Sequence, residues 1–428
     1  MNIPEAFTSY TRRLMGDELY SLLEQGLSTP PPVSIRLNPF KTSNFELATD
    51  HEPIGWCEDG VYLNGRPNFT FDPWLHGGLY YVQEASSMFV AHVLKYLATT
   101  PVRMLDLCAA PGGKSTCAMA SLPHGSVLFS NEPMKNRAQI LSENIQKFGH
   151  PDIYVTNNYA QDYQKSRLLF DIILTDVPCS GEGMFRKDEG AINEWSPDNV
   201  EKCSRLQREI VKDIWPCLRD GGYLIYSTCT FNAHENEENA NWIAQELGAE
   251  FIAIPTQPDW NITGSLTDAH PMYRFIPGKT KGEGLFMAVL RKNNTAEATL
   301  KTATPQPLAP LKDKDSRQLH VLSHGVNPPI KKGKDLIPDP SAALSILKEA
   351  TTAYPLINID YPTAIAYLRH EAITLPSETP RGIVTVAYQD IPLGFAKNIG
   401  NRANNLFPQE WKIKSSHLQP LSPVLKLK

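Results

Sequence analysis

Residues 104–115 read Met-Leu-Asp-Leu-Cys-Ala-Ala-Pro-Gly-Gly-Lys-Ser. Four mostly apolar residues, followed at once by small residues and two glycines, describe a buried strand that turns sharply into a loop. Glycine lets backbone approach a ligand closely, and the helix expected after the loop offers its positive N-terminal end. On either side the pattern repeats. Short apolar runs occur at 127–130, 153–156, 170–175, 223–227 and 285–290, with amphipathic stretches such as 136–148 and 200–218 between them. This alternation predicts an α/β fold with a parallel, doubly wound sheet over residues 96–292.

The loop is neither G-x-G-x-x-G nor G-x-x-x-x-G-K-[ST], so a dinucleotide or a triphosphate is not the expected ligand. The run at 127–130 continues into Asn131-Glu132. An acidic group about twenty residues beyond the glycines suits the two hydroxyls of a ribose. An adenosine-type cofactor without a pyrophosphate fits best. A plain strand-to-helix turn would account for the glycines but not for the interval to Glu132.

Two cysteines stand just past the ends of apolar runs. One lies in Asp176-Val177-Pro178-Cys179-Ser180-Gly181, the other in Ile225-Tyr226-Ser227-Thr228-Cys229-Thr230. In an open α/β sheet such positions face the ligand crevice. A thiolate beside a nucleotide suggests attack on a pyrimidine. Addition at C6 of cytosine turns the ring into an enamine whose C5 can take an electrophilic methyl group, after which a base removes the C5 proton and the thiolate leaves. That chemistry needs an activated thiol, a partner for the ring's N3 and N4 edge, and a base drawn out of its stack. Asp176 is the candidate for the ring edge, and Lys114 for orienting Asp176 or stabilising charge. Cys57, Cys117, Cys203 and Cys217 read as small buried hydrophobes.

The chain has 428 residues, 20% charged and 41% hydrophobic, with a net charge of -5. Any nucleic acid must therefore be met by local basic patches and not by a global field. The seven cysteines form no C-x-x-C pair. They predict neither a disulfide framework nor a metal site, and point to a reducing, cytoplasmic setting. Residues 1–13 lack the apolar core of a signal peptide, and no apolar run reaches the ~18 residues that span a bilayer. Besides 96–292, residues 1–95 read as a small α+β domain with a helical start at 7–25. Residues 293–340, rich in Pro, Lys, Thr and Asn, read as a linker with room for a strand or two, and 341–428 as a small mixed α/β module.

The sequence resembles the Sun-type RNA cytosine-C5 methyltransferases. The residues that carry the resemblance are 105–114, 176–183 (Asp-Val-Pro-Cys-Ser-Gly-Glu-Gly), 227–230 (Ser-Thr-Cys-Thr), Trp195-Ser196-Pro197 and, upstream, 81–87 (Tyr-Val-Gln-Glu-Ala-Ser-Ser). It is most similar to the bacterial branch acting on small-subunit (16S) ribosomal RNA, whose C-terminal module is PUA-like. The pattern Pro392-Leu393-Gly394, Lys397, Arg402, Asn405, Pro408 looks like that module. The resemblance implies a Rossmann-like, seven-stranded methyltransferase core with S-adenosylmethionine as cofactor. It implies that Cys108, Ala109, Ala110, Pro111, Gly112, Gly113 and Lys114 hold the methionine and sugar part. Glu132 would take the ribose hydroxyls, with Arg137 supporting the pocket. Cys229 would be the nucleophile, and Cys179 would help release the product. The family's usual aspartate against the adenine amino group is absent. Tyr159 occupies that place, which leaves Asp162, Tyr159 or a backbone carbonyl for the contact.

The RNA-facing candidates are Arg36, Arg186, Lys187, Lys397 and Arg402, since Lys and Arg meet phosphates while unstacked bases are read by their edges. Lys41 reads as a solvated surface charge, Tyr80-Tyr81 as core, and His76 and His234 as structural histidines that compete with a role in removing the C5 proton. The expected partner is ribosomal RNA, met by a monomer. Two other readings compete: the same chemistry on transfer RNA, and an RNA-binding ribosome assembly factor with a vestigial cofactor site.

Overall fold

A computed structural model describes residues 3–293, 318–333, 335–415, 417 and 420–428. The central sheet runs Ala249–Phe251, Leu285–Lys292, Leu218–Thr228, Phe170–Asp176, Arg103–Asp106, Val127–Asn131, Ile153–Thr156. Neighbours pair in parallel from Leu218–Thr228 through Ile153–Thr156, whereas Leu285–Lys292 is antiparallel to Leu218–Thr228. These seven strands are the expected methyltransferase sheet. Two more extend it to nine: Met272–Phe275 pairs with Leu285–Lys292, and Val321–His324 pairs with Ile153–Thr156.

That last strand falls in the stretch 293–340, which the sequence leaves as a linker with room for a strand or two. Val321–His324 belongs to the sheet, where Tyr154 stacks on His324 and the backbone of Asn157 donates to His320 O. The strand was hidden because its sequence, Val-Leu-Ser-His, is too short to show alternation. The central part of that segment, 294–317, lies outside the described residues.

Helices cover both faces of the sheet and bury two apolar layers. One contains Met104, Leu128, Ile172, Ile225 and Met287; the other contains Leu105, Phe129, Ile173, Leu224 and Phe286. Consecutive residues of each strand alternate between the layers, as the pleat requires, so the strands read as continuous apolar runs.

The flanking pieces do not behave as separate beads. The helix Glu5–Ser28, kinked at Gly16, packs Phe7, Tyr20 and Leu23 against Phe185, Trp195 and Phe231 of the central domain. The N-terminal sheet, ordered His51–Ile54, Cys57–Leu63, Val33–Leu37, Tyr80–Val82, shares one core with the C-terminal module. Ile35, Val61 and Trp74 meet Tyr367, Val386 and Phe407 there, and Phe45–Leu47 pairs with Leu425–Leu427. Lys41 is no solvated charge. Its ammonium donates to the carbonyls of Gly77, Lys147 and Leu344, joining all three parts of the chain.

Candidate active site

The site sits at the carboxyl ends of the parallel strands, where the order reverses between Arg103–Asp106 and Phe170–Asp176. Register explains why distant motifs meet. Ser227 lies opposite Asp176, and Val177 N donates to Ser227 O at 3.1 Å. Three residues beyond Asp176 and two beyond Ser227, Cys179 and Cys229 bring their sulfurs within 3.2 Å. Lys114, at the start of the helix Gly113–Ser121, donates to Asp176 Oδ2 at 2.7 Å. Ser227 donates to Asp176 Oδ1 at 2.7 Å. A cavity of about 320 Å³ is lined by Cys108, Ala109, Ala110, Pro111, Gly113, Lys114, Asp176 and Cys229. The glycine-rich loop and the Cys229 side of the sulfur pair thus share a single cleft.

Charge at the site is set by burial and pairing. Burial alone would lower the pKa of Lys114, but the Asp176 carboxylate offsets this and leaves it raised. The pair is an ammonium beside a carboxylate, with the carboxylate's remaining lone pairs free for a ring edge. Its hydrogen bond to Cys229 and its burial push the Cys179 thiol well above the ordinary cysteine range, so Cys179 keeps its proton. Cys108 is pushed up as well, by burial and by nearby carboxylates, which makes it a neutral wall and not a second nucleophile.

A buried polar network holds the two cysteine loops. Glu182 accepts from Trp195 Nε1 at 2.9 Å, from Phe231 N at 2.6 Å, and from Asn232 N and Nδ2 at 2.9 and 3.0 Å. Glu235 accepts from Ser180 N and Oγ, Asn232 Nδ2 and Gln207 Nε2. Gly183 N donates to Cys229 O at 2.8 Å, and a Cβ at Gly183 would lie 2.7 Å from that oxygen, so glycine is needed there. Arg274 forms a buried ion pair with Glu237 and donates to Phe231 O. On the opposite wall, Glu84 accepts from Ser86 N, Ser87 N and Glu283 N, which ties the N-terminal domain to the cleft. Sequence reasoning missed Glu182, Glu235, Asn232, Glu84 and Arg274 as supports. Only Glu182 and Glu84 carried a signal, since both lie inside quoted motifs.

The cofactor side is built on Glu132. It is 1% exposed; its Oε1 accepts from Met134 N, and its Oε2 has no hydrogen-bond partner although Arg137 Nη1 lies 3.4 Å away. A buried carboxylate oxygen without a partner is costly unless a donor arrives, and a ribose diol supplies one. Arg137 also donates to Ala110 O, and Asn144 to Pro111 O, which fixes the loop. Gly112 sits at φ 115°, a conformation that favours glycine. These residues fit an adenosine-type cofactor.

Other candidates fall elsewhere. Arg36 is corrected: it is 1% exposed and donates to Gln83 Oε1 and Thr116 Oγ1, so it braces the N-terminal domain against the helix after the cofactor loop and meets no RNA phosphate. Asp162 accepts from Tyr159 N through one oxygen and from Lys165 through the other. Arg186 turns inward to the carbonyls of Gly282 and Pro30, and Lys187 pairs with Glu283 at the cavity wall. Lys397 is half-buried on the strand Ile391–Asn398, and Arg402 is exposed. His234 pairs with Glu238 and stacks on Tyr10, away from the cavity lining.

His76 is buried, and its Nε2 donates to Thr70 O at 2.9 Å while Nδ1 has no partner, which defines a neutral ring. Burial lowers its pKa from 6.5 to about 3. The unfolded chain therefore binds a proton here that the folded chain refuses, and stability is lost as pH falls from 6.5 towards about 3. The melting temperature is expected to drop over that window, and less steeply in His76→Gln, whose amide can still donate to Thr70. Calorimetric melting of both proteins at pH 7 and pH 5 checks this; parallel curves would assign the acid sensitivity to other groups.

Among the described residues no helix is long and apolar enough to cross a membrane, and no group of His, Cys, Asp or Glu has the geometry to hold a metal ion.

Comparison with known proteins agrees with this geometry. Three family models match: the 16S rRNA methyltransferase RsmB/F model over residues 96–291, the N-terminal domain of 16S rRNA methyltransferase RsmF over 3–85, and the methyltransferase RsmF PUA domain over 354–413. Ribosomal RNA small subunit methyltransferase F of Escherichia coli O81 (strain ED1a) is 29% identical over 466 residues, covering 95% of this chain and 96% of the relative. The protein of the same description from Serratia proteamaculans (strain 568) is 29% identical over 470 residues, with the same coverage. Among solved structures, NSun6 from Pyrococcus horikoshii with SFG superposes with a TM-score of 0.58 at 19% identity, covering 68% of this chain and 98% of that one. A methyltransferase homologue from Pyrococcus horikoshii gives 0.57 at 23%, covering 68% and 95%. At these identities the structures speak for the fold.

Proposed function

Because the chain belongs to the RsmB/F family of 16S rRNA methyltransferases, we propose that it methylates C5 of a cytosine in small-subunit ribosomal RNA, using S-adenosylmethionine and a covalent bond from Cys229 to C6 of that base. We further propose that it works in the cytoplasm as a monomer. The observation that carries the chemistry is the 3.2 Å approach of Cys179 and Cys229 beside the Lys114–Asp176 pair.

When bound, S-adenosylmethionine supplies an electrophilic methyl group. Cys108 to Lys114 would hold its methionine and sugar part, and Glu132 its ribose. Everything else falls to the protein's own groups acting on the base. Cys229, as thiolate, adds to C6 and pushes electron density towards C5. Asp176, held from one side by Lys114 and from the other by Ser227, faces the N3 and N4 edge and fixes the ring. After C5 is alkylated its proton must leave, the C5–C6 double bond re-forms, and the Cys229 sulfur departs as thiolate. Cys179, kept protonated until then, is the group within reach of that sulfur. Lys397 and Arg402 of the C-terminal module would meet RNA phosphates, and Lys187 would do so at the cavity mouth.

The test is methyl transfer to RNA from cells that lack this gene. Purified protein, S-adenosylmethionine and small ribosomal subunits or extracted total RNA are incubated and mapped by bisulfite sequencing. One newly protected cytosine in small-subunit RNA is the expected result. Protection only in transfer RNA would move the activity to the other substrate, and protection nowhere would remove the enzymatic reading.

A further inference from the structure

Adenine recognition in this chain departs from the pattern that its relatives suggest. The place after the strand Ile153–Thr156, where a carboxylate is expected, holds Tyr159. Asp162, the nearest acidic residue, accepts from Tyr159 N at the start of its own helix and from Lys165, so each of its oxygens already has one donor.

What the loop does present is apolar. Tyr159 is 66% exposed and Met134 is 57% exposed, the two most exposed large apolar side chains between residues 96 and 292. Each is the residue at which a helix begins, after one of two adjacent parallel strands, and those strands are in register at Asn131 and Thr156. Asn157 ties the two turns together, donating to Glu132 O at 2.7 Å and Pro133 O at 2.9 Å. The buried Glu132 oxygen that accepts no hydrogen bond and has Arg137 Nη1 at 3.4 Å lies two residues before Met134 and offers a ligand an acceptor at the same strand ends.

We propose that this chain holds the cofactor's adenine by stacking against Tyr159 and Met134, without a carboxylate on the amino group, so that the site tolerates substitution at N6. The inference rests on the reading of S-adenosylmethionine as the methyl donor. Its physical basis is that a flat π-face is common to all purines, whereas a buried carboxylate demands a donor and rejects a ligand that lacks one. Selectivity for the adenosyl group then comes from shape and from Glu132 at the ribose.

The test is calorimetric binding to the full-length protein of S-adenosylhomocysteine and its N6,N6-dimethyl analogue, whose exocyclic nitrogen has no N–H left to donate. The wild type is expected to bind the two within about threefold of each other, since no hydrogen bond to a carboxylate is lost. Tyr159→Ala is expected to weaken both by about tenfold, the order of one base–aromatic stack, while Tyr159→Phe keeps wild-type affinity. Tyr159→Asp, which restores a carboxylate, is expected to create a preference for the unmodified compound. A loss of about tenfold or more on N6,N6-dimethylation in the wild type would overturn the proposal. So would a Tyr159→Ala protein that binds S-adenosylhomocysteine normally but RNA poorly, because the exposed ring would then serve a nucleotide of the substrate. Failure of the wild type to bind S-adenosylhomocysteine at millimolar concentration would instead remove the donor reading itself.

Discussion

Cys229→Ala is expected to abolish methyl transfer to RNA, by about 10⁴-fold or more, while leaving the affinity for S-adenosylhomocysteine unchanged. The size follows from chemistry. Without a nucleophile at C6, C5 of cytosine has too little electron density to capture the methyl group. The selectivity follows from structure. The Cys229 sulfur contacts Cys179, and the backbone carbonyl that anchors its loop to Gly183 N survives the substitution. Glu132, Arg137 and the loop 108–114 are untouched. The measurement is initial rate of tritium transfer to small-subunit RNA alongside calorimetric binding of the cofactor product. If Cys229→Ala retained turnover and Cys179→Ala did not, the two sulfurs would exchange roles. If both retained it, covalent catalysis would be excluded.

Much of this site could be read before the fold was seen, and the reason is local. Lys114, Asp176, Cys179 and Cys229 each stand at or just past the end of an apolar run. In a parallel sheet, strand ends converge at one crevice regardless of how far apart they lie in the chain. Glu132 was legible for the same reason. Arg36 shows where such reasoning stops. Its neighbourhood, Ser-Ile-Arg-Leu-Asn-Pro, marks a strand but not what covers it, and Thr116, eighty positions on, accepts its guanidinium. The shared core of the N-terminal sheet and the C-terminal module was invisible too, because pairing of Phe45–Leu47 with Leu425–Leu427 leaves no trace in either segment's periodicity. The strand Val321–His324 was missed since an edge strand of four residues, covered on one side, needs no pattern of its own.

Cys179→Ala is expected to trap the enzyme on its RNA, as a protein–RNA species that survives denaturation and that Cys229→Ala does not form. The argument turns on why Cys179 keeps its proton in the resting site. The largest cause is its hydrogen bond to Cys229, followed by burial. Once Cys229 is bonded to C6 its sulfur is a thioether, a weak acceptor, and the hydrogen bond that raises the Cys179 pKa is weakened. The Cys179 thiol then becomes the stronger acid. It can give its proton to water in the cleft and, as thiolate 3.2 Å from the departing sulfur, take the proton from C5 so that the double bond closes and Cys229 leaves as thiolate. Alanine at 179 leaves the addition step intact and removes the group proposed to complete elimination. Denaturing gel electrophoresis of protein incubated with small-subunit RNA and S-adenosylmethionine would show a shifted band that RNase collapses, rising with time in Cys179→Ala and scarce in the wild type. Cys179→Ser sharpens the test: a hydroxyl fills the space but ionises far less readily, so it too should accumulate the adduct. A Cys179→Ala enzyme that turns over normally without a shifted band would show that the C5 proton leaves by another route, Asp176 or water being the groups then to examine.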